Sequence, residues 1–312
     1  MAYKPSYPSV KSETTRHGDD GKTLSEYWHD FKQEIEARRT RGTPELPTGI
    51  DFIDDLTDGI HRGELWTIAG SSGGGKTSLA LQIATNIARL KKRVLIVSLE
   101  MRGEALVGRI FCQLKDYDNQ MLKKGDYSDG FMDKDKDFVA LLTSLDMEIA
   151  EYGYNFEEIV HILENFYTTE KPDMVVVDFV QLIDWQEVGD ERLALQEYVR
   201  KLAELSKTKN LAILIVSQLR RPPSGADLNR PRDITDLKGT GSLEQLSHVV
   251  ILISKRTEER MGRKSIKWMI NVAKNREGAT GECEFYFKGA EYKFKQVEIE
   301  ATPPKDYYEE TQ

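Results

Sequence analysis

The sequence predicts an α/β fold in which helices flank a mostly parallel central sheet. Two observations carry this. Apolar runs of strand length at 65–70, 93–100, 173–178 and 211–218 alternate with helically spaced apolar residues at about 76–90, 102–114, 155–169 and 191–209. That alternation is what a parallel sheet with crossover helices requires. Between the first strand and the first helix stand Gly70, Ser71, Ser72, Gly73, Gly74, Gly75, Lys76 and Thr77, which fit the pattern G-x-x-x-x-G-K-[ST].

The glycine pattern implies nucleotide binding. Glycines let successive backbone N–H groups converge on phosphate oxygens, and the helix N-terminus adds partial positive charge. Lys76 reaches the outer phosphates and Thr77 holds Mg²⁺, with Ser78 the next candidate in the same turn. Bound ATP and Mg²⁺ are therefore expected. A flexible glycine loop with a chance lysine would lack the flanking strand and helix.

The second run, from Arg93, ends in Glu100, and the third, from Asp173, ends in Asp178, which suits a strand whose aspartate supports Mg²⁺. Phe179 follows Asp178, so no water-activating acid stands directly after it, and Glu100 becomes the candidate base. Its alternative is an N-cap or solvated acid. The fourth run ends in Gln218, which either contacts the γ-phosphate and moves the following loop or simply caps the strand.

Apolar runs at 249–253 and 266–272 extend the sheet, and 284–287 suggests a closing antiparallel hairpin. Residues 116–136, rich in Asp, Lys and Gly, read as an exposed excursion. Ahead of the core, Thr23 and Glu26 form a capping box for a helix carrying Leu24, Tyr27, Trp28, Phe31 and Ile35 on one face. That stripe docks either on its own domain or on a neighbouring subunit. The organisation expected is a disordered tail (1–22), an amphipathic linker helix (23–41), an ATPase domain (42–295) and an acidic tail (296–312) around Glu309 and Glu310.

Among 312 residues of net charge −8, no apolar stretch approaches the ~20 residues of a membrane span, and the polar N-terminus lacks a signal-peptide core. Two distant cysteines, Cys112 and Cys283, suit a reducing cytoplasm, and five scattered histidines predict no zinc site. The acidic total argues against nucleic acid, yet Arg220, Arg221, Arg230, Arg232 and Lys238 gather in one segment and allow a local basic lining.

Pro47-Thr-Gly49, the glycine loop, Ser98-Leu-Glu100-Met101, Val177-Asp178-Phe-Val-Gln181-Leu182, Ser217-Gln218-Leu219, the segment from Asp236 to Gln245 and Ala273-Lys274-Asn-Arg276-Glu-Gly278 follow one another in order. Over residues 23–293 this resembles the motor domain of DnaB-type replicative DNA helicases. The resemblance implies a RecA-like fold assembled through the linker helix as a homo-hexameric ring, translocating 5′ to 3′ on single-stranded DNA. Glu100 would activate water, Asp178 would support the metal and Gln218 would sense the γ-phosphate. Lys274 and Arg276 would reach the nucleotide of the adjacent subunit. Arg230, Arg232, Lys238, Gly239 and Gly241 would belong to the loop gripping DNA phosphates. The alternative for the basic pair is a solvated turn, and for the glycine segment a surface loop of similar composition. Only a short polar tail precedes the linker helix, where the family carries an N-terminal domain, so a helicase loader or primase stays an open partner and a phage or plasmid source is suggested. Other readings are a RecA-like recombinase or remodelling ATPase, and a non-motor regulatory ATPase.

Overall fold

A computed structural model describes residues 22–297, apart from 43, 126–130, 152–154, 170, 179, 183–189, 221–226, 228, 238–240 and 261–262. The chain divides into two units, Met1–Thr43 and Pro44–Gln312. Nearly all of both tails expected from the sequence lies outside the described residues.

The first unit contains one helix, α1 (Leu24–Arg41). The Thr23 hydroxyl accepts from the Glu26 N–H at 3.3 Å, while the Glu26 carboxylate accepts from the Thr23 N–H at 2.6 Å. These bonds satisfy two backbone donors at the helix start. Gly42 ends the helix with φ 67°, its N–H donating to the Arg38 carbonyl. Leu24, Tyr27, Trp28, Phe31 and Ile35 are all exposed.

The second unit is built on a nine-stranded sheet in the order β3-β2-β4-β5-β1-β6-β7-β8-β9. Its strands are β1 (Leu65–Gly70), β2 (Val94–Ser98), β3 (Met147–Ala150), β4 (Met174–Asp178), β5 (Ala212–Gln218), β6 (Val249–Arg260), β7 (Arg263–Asn275), β8 (Gly281–Lys288) and β9 (Lys293–Gln296). The pairings linking β3, β2, β4, β5, β1 and β6 are parallel, and those from β6 to β9 are antiparallel. β1, β2 and β4 are buried along their whole length, which is why they read as continuous apolar runs. Alternate residues feed two cores. Ile96, Val176 and Leu214 meet α3 (Lys76–Arg89) and α4 (Gly103–Lys115), while Leu95, Val175 and Ile213 meet α7 (Phe156–Thr169) and α8 (Glu191–Thr208).

Three features differ from expectation. The segment read as an excursion holds α5 (Asn119–Lys124) and the start of α6 (Phe131–Ser144). Asp118 and Gly125 cap α5, so these residues bound a helix instead of a loop, and Phe138 anchors α6 in the core. The edge strand β3 has no counterpart in the sequence reading. The antiparallel portion is also larger than a closing hairpin, because β6 and β7 continue as a charged ribbon beyond their apolar halves. The remaining helices are short: α2 (Asp51–Thr57) and α9 (Gly241–Leu246).

Candidate active site

The parallel strands deliver their polar ends to one sheet edge. There the P-loop, Glu100, Met101, Arg109, Gln218, Phe287, Gly289 and Tyr292 line a cleft of about 380 Å³. A larger groove of about 550 Å³ lies between α7 and α8, but its mixed acidic and basic rim has no phosphate-cradling loop.

The loop conformation depends on its glycines at identifiable places. Gly75 has φ 75°, and a Cβ there would stand 2.8 Å from the Phe294 ring. A Cβ on Gly74 would stand 2.7 Å from the Ser71 carbonyl, which already accepts the Gly74 N–H at 2.9 Å. Lys76 folds over the loop, Nζ donating to the Ser71 carbonyl at 3.0 Å. Burial lowers its pKa, opposed by Asp178 and Glu100.

Asp178 is 3% exposed, and neither carboxylate oxygen has a hydrogen-bond partner among the described residues. Burial first, with the charge of Glu100 adding to it, pushes its pKa up to about 6 against the lowering effects of the Thr77 hydroxyl, Lys76 and Arg109. A buried carboxylate with unspent lone pairs beside a phosphate loop fits a Mg²⁺ ion or its water shell, with Thr77 as the hydroxyl ligand. No cluster of three His, Cys, Asp or Glu gathers around a metal position among the described residues. Mg²⁺ commonly takes only one or two protein ligands alongside phosphates. Glu100 is exposed at the end of β2 and lines the same cleft as Gln218.

Sequence reasoning missed the far wall. Arg109 on α4 stacks over Tyr292 at 4.8 Å, and Phe294 packs on Phe287 at 4.6 Å behind Gly75. Gln82 on α3 exchanges two bonds with the Phe294 backbone, at 3.0 and 2.9 Å, and Gln113 donates to the Tyr292 carbonyl at 2.8 Å. These long-range bonds bring the last strands against the P-loop. Local spacing carried no signal of them.

Lys274 and Arg276 stand elsewhere. Antiparallel pairing sets Asn275 opposite Val249, at the start of β6, whereas the P-loop follows the other end of β1. The Arg276 N–H donates to the His248 carbonyl, and the His248 N–H donates to the Leu65 carbonyl at 2.7 Å. The pair therefore sits beside the start of β1, about 17 Å of strand from Gly70 at ~3.3 Å per residue. Lys274 donates to the Glu244 and Gln245 carbonyls of α9, and Arg276 donates to the Gln245 carbonyl at 3.1 Å. This cis arrangement leaves the chain's own cleft without them.

Among the candidate DNA-contacting residues, Lys238 and Gly239 lie outside the described residues, and Gly241 begins α9. Arg230 is bonded to Asp236 and to the Pro231 carbonyl, and Arg232 is also directed at Asp236. Both guanidiniums brace the segment's base. Cys112 and Cys283 are buried and free.

Residues 45–296 match the DnaB-like helicase C-terminal domain family. The chain belongs to that family. The resemblance read over 23–293 thus holds across the core, while α1 precedes the matched span. The chain is 27% identical over 262 residues to the replicative DNA helicase DnaB of Buchnera aphidicola subsp. Baizongia pistaciae, covering 80% of this chain and 55% of that protein. It is also 27% identical over 259 residues to the replicative DNA helicase DnaC of Bacillus subtilis, covering 81% and 57%. A probable plasmid replicative DNA helicase of Chlamydia trachomatis is 27% identical over 255 residues, covering 81% and 55%. The chain spans about half the length of these curated relatives. Its fold is that of a solved structure described as an ATPase domain, with TM-score 0.78 at 22% identity over 90% of this chain and 100% of that one. A DnaB-like replicative helicase described with its interactions with primase superposes with TM-score 0.75 at 22% identity, over 90% of this chain and 68% of that one. The RecA-like α/β architecture follows, with a mostly parallel sheet and antiparallel C-terminal strands. No helix among the described residues is long and apolar enough to cross a membrane.

Proposed function

We propose that this chain is the ATP-driven motor of a replicative DNA helicase, working as a homo-hexameric ring that translocates 5′ to 3′ on single-stranded DNA. One observation carries the reading. The cleft gathers a phosphate loop, Glu100 and Gln218, with Asp178 buried beside Lys76 and Thr77, while the basic pair Lys274 and Arg276 is held at the opposite end of the sheet. A second subunit supplying that pair would complete the site.

In this reading the P-loop amides and Lys76 hold the β- and γ-phosphates, and Thr77 with Asp178 holds Mg²⁺. Held there, the ion would supply positive charge to offset the negative charge developing on the β- and γ-phosphates. Glu100 takes the proton of the attacking water, Gln218 hydrogen-bonds the γ-phosphate, and the neighbour's Arg276 and Lys274 stabilise charge developing on the transferred group. An arginine supplied in trans is worth about 10³ to 10⁵ in rate. The stacked Arg109 and Tyr292 offer a flat face for the nucleobase. The segment from Arg230 to Gly241 carries the DNA contacts: Arg230 and Arg232 shape it, and Lys238, Gly239 and Gly241 grip phosphates without reading bases. The exposed stripe of α1 docks on the neighbouring subunit. A primase or helicase loader is the further partner class, and a bacterial cell, with a chromosomal or plasmid origin, is the setting its relatives suggest.

The test is the ATPase rate measured against protein concentration, with and without single-stranded DNA, alongside native mass. Activity should rise with assembly and with DNA. Turnover by a monomer indifferent to DNA overturns the motor reading.

A further inference from the structure

Gln181 stands within the motif that follows Asp178, and the assigned chemistry leaves it without a role. Its position supplies one. The pairing of β4 with β5 ends at Val177 and Ile215. β5 nevertheless runs on through Ser217 and Gln218, which stay paired with Ala69 and Gly70 of β1 on the other side. After Asp178 the chain leaves the sheet and makes a short 3₁₀ turn, Val180–Leu182. From that turn the Gln181 side chain reaches back to the open side of β5. Its Oε1 accepts the Gln218 backbone N–H at 3.2 Å, and its Nε2 donates to the Ser217 hydroxyl at 2.6 Å.

The amide thus stands in for the next rung of the β4–β5 ladder. Its orientation is dictated, since a backbone N–H only donates and must therefore face the oxygen. The residues beyond Gln218 lead directly to the basic segment. The Leu219 N–H donates to the Gly70 carbonyl at 3.1 Å, Leu219 bridges to Leu237, and the Arg220 N–H donates to the Asp236 carbonyl at 2.8 Å. Gln218 therefore lies between the end of the Asp178 strand and the base of the segment carrying Arg230 and Arg232.

We propose that Gln181 is a positioning residue that fixes Gln218 against the cleft and ties its movement to the strand bearing Asp178. Gln181 makes no nucleotide contact in this role. Its two bonds hold the backbone from which the Gln218 side chain projects, so a change beside Asp178 is passed to the sensor and onward through Leu219 to the DNA-facing segment. The inference rests on the reading of Gln218 as the γ-phosphate sensor.

A double-mutant cycle on the whole chain with single-stranded DNA separates the two. Gln181→Met keeps side-chain length and removes both bonds. In the wild-type background it should lower kcat roughly tenfold, because a part-buried backbone donor loses its acceptor and the sensor loses its aim. The affinity for a fluorescent ATP analogue should change less than about twofold, since binding energy resides in the P-loop. In a Gln218→Ala background the same substitution should add almost nothing, because groups acting through one another are not additive. Gln181→Glu retains oxygens able to accept from the Gln218 N–H and the Ser217 hydroxyl, and should fold and recover part of the lost kcat even where the Met variant is poorly folded. Equal fold-losses from Gln181→Met in both backgrounds, or weakened nucleotide affinity with unchanged kcat, would overturn the role of Gln181. Full kcat in Gln218→Ala alone would instead overturn the sensor reading on which it stands.

Discussion

Asp178 is buried beside a phosphate loop with its oxygens unspent, and that placement has a measurable consequence. With its pKa near 6, the proton competes for the same oxygens as Mg²⁺. Mg²⁺-dependent affinity for a non-hydrolysable ATP analogue should weaken progressively as pH falls below about 6. Affinity that stays flat down to about pH 5 contradicts this. The stability effect has the opposite sense. The folded value lies above the ordinary 3.8, so the folded chain keeps a proton that the unfolded chain releases. The contribution of Asp178 to ligand-free stability therefore declines as pH rises from about 4 to about 6 and is level above that range, a slope that Asp178→Asn should remove. Gly75 gives a second residue-scale prediction. Alanine there must adopt a left-handed backbone, costing about 1–2 kcal/mol, and must also displace the Phe294 ring. Gly75→Ala should lower Tm by several degrees and weaken nucleotide binding as well. An unchanged Tm would show that the loop relaxes freely. The glycine loop, Asp178 and Gln218 were legible because strand ends and glycine spacing are local signals. Arg109 and Tyr292 were not, because only folding brings the residue preceding β9 against α4.

The same contrast governs whole elements. β1, β2, β4 and β5 announced themselves as apolar runs because both sheet faces are covered. The ribbon of β6 and β7 was half hidden, since its outer portion is charged: Arg256 on β6 reaches over β7 to pair with Glu282 on β8, and Lys267 on β7 pairs with Glu284 on the adjacent β8. α5 was hidden by its own caps, Asp118 and Gly125, residues that also suit loops. The helix α1 was the reverse case, with its capping box and stripe plain in the sequence. Its five large apolar side chains are exposed, and none belongs to either hydrophobic core. Replacing Trp28 and Phe31 with serine should therefore leave the Tm of the ATPase core unchanged. If the stripe is the interface between subunits, losing two aromatic anchors at ~2 kcal/mol or more each should raise the concentration needed for assembly at least tenfold. Native mass across a dilution series reads this directly. A ring of unchanged stability would assign the stripe to another surface.

At the scale of the molecule, the decisive feature is the separation between the cleft and the basic pair. Motif order along the chain offers no reason to place Arg276 far from Lys76. The antiparallel return of β7 does so, carrying Arg276 back to the start of β1 while Gly70 ends that strand. The consequence can be tested by mixing two inactive proteins. Lys76→Ala removes phosphate binding from its own cleft but retains Arg276, and Arg276→Ala retains its cleft but has nothing to offer a neighbour. Each alone should have negligible DNA-stimulated ATPase activity. In a mixed ring, some junctions place an intact cleft against an intact Arg276, and each such junction is a complete site. Random mixing of equal amounts makes about one junction in four complete, so activity should reappear at a fraction of the wild-type level and peak near equal proportions. If both residues served a cleft in the same chain, every subunit would remain defective and no ratio would restore turnover.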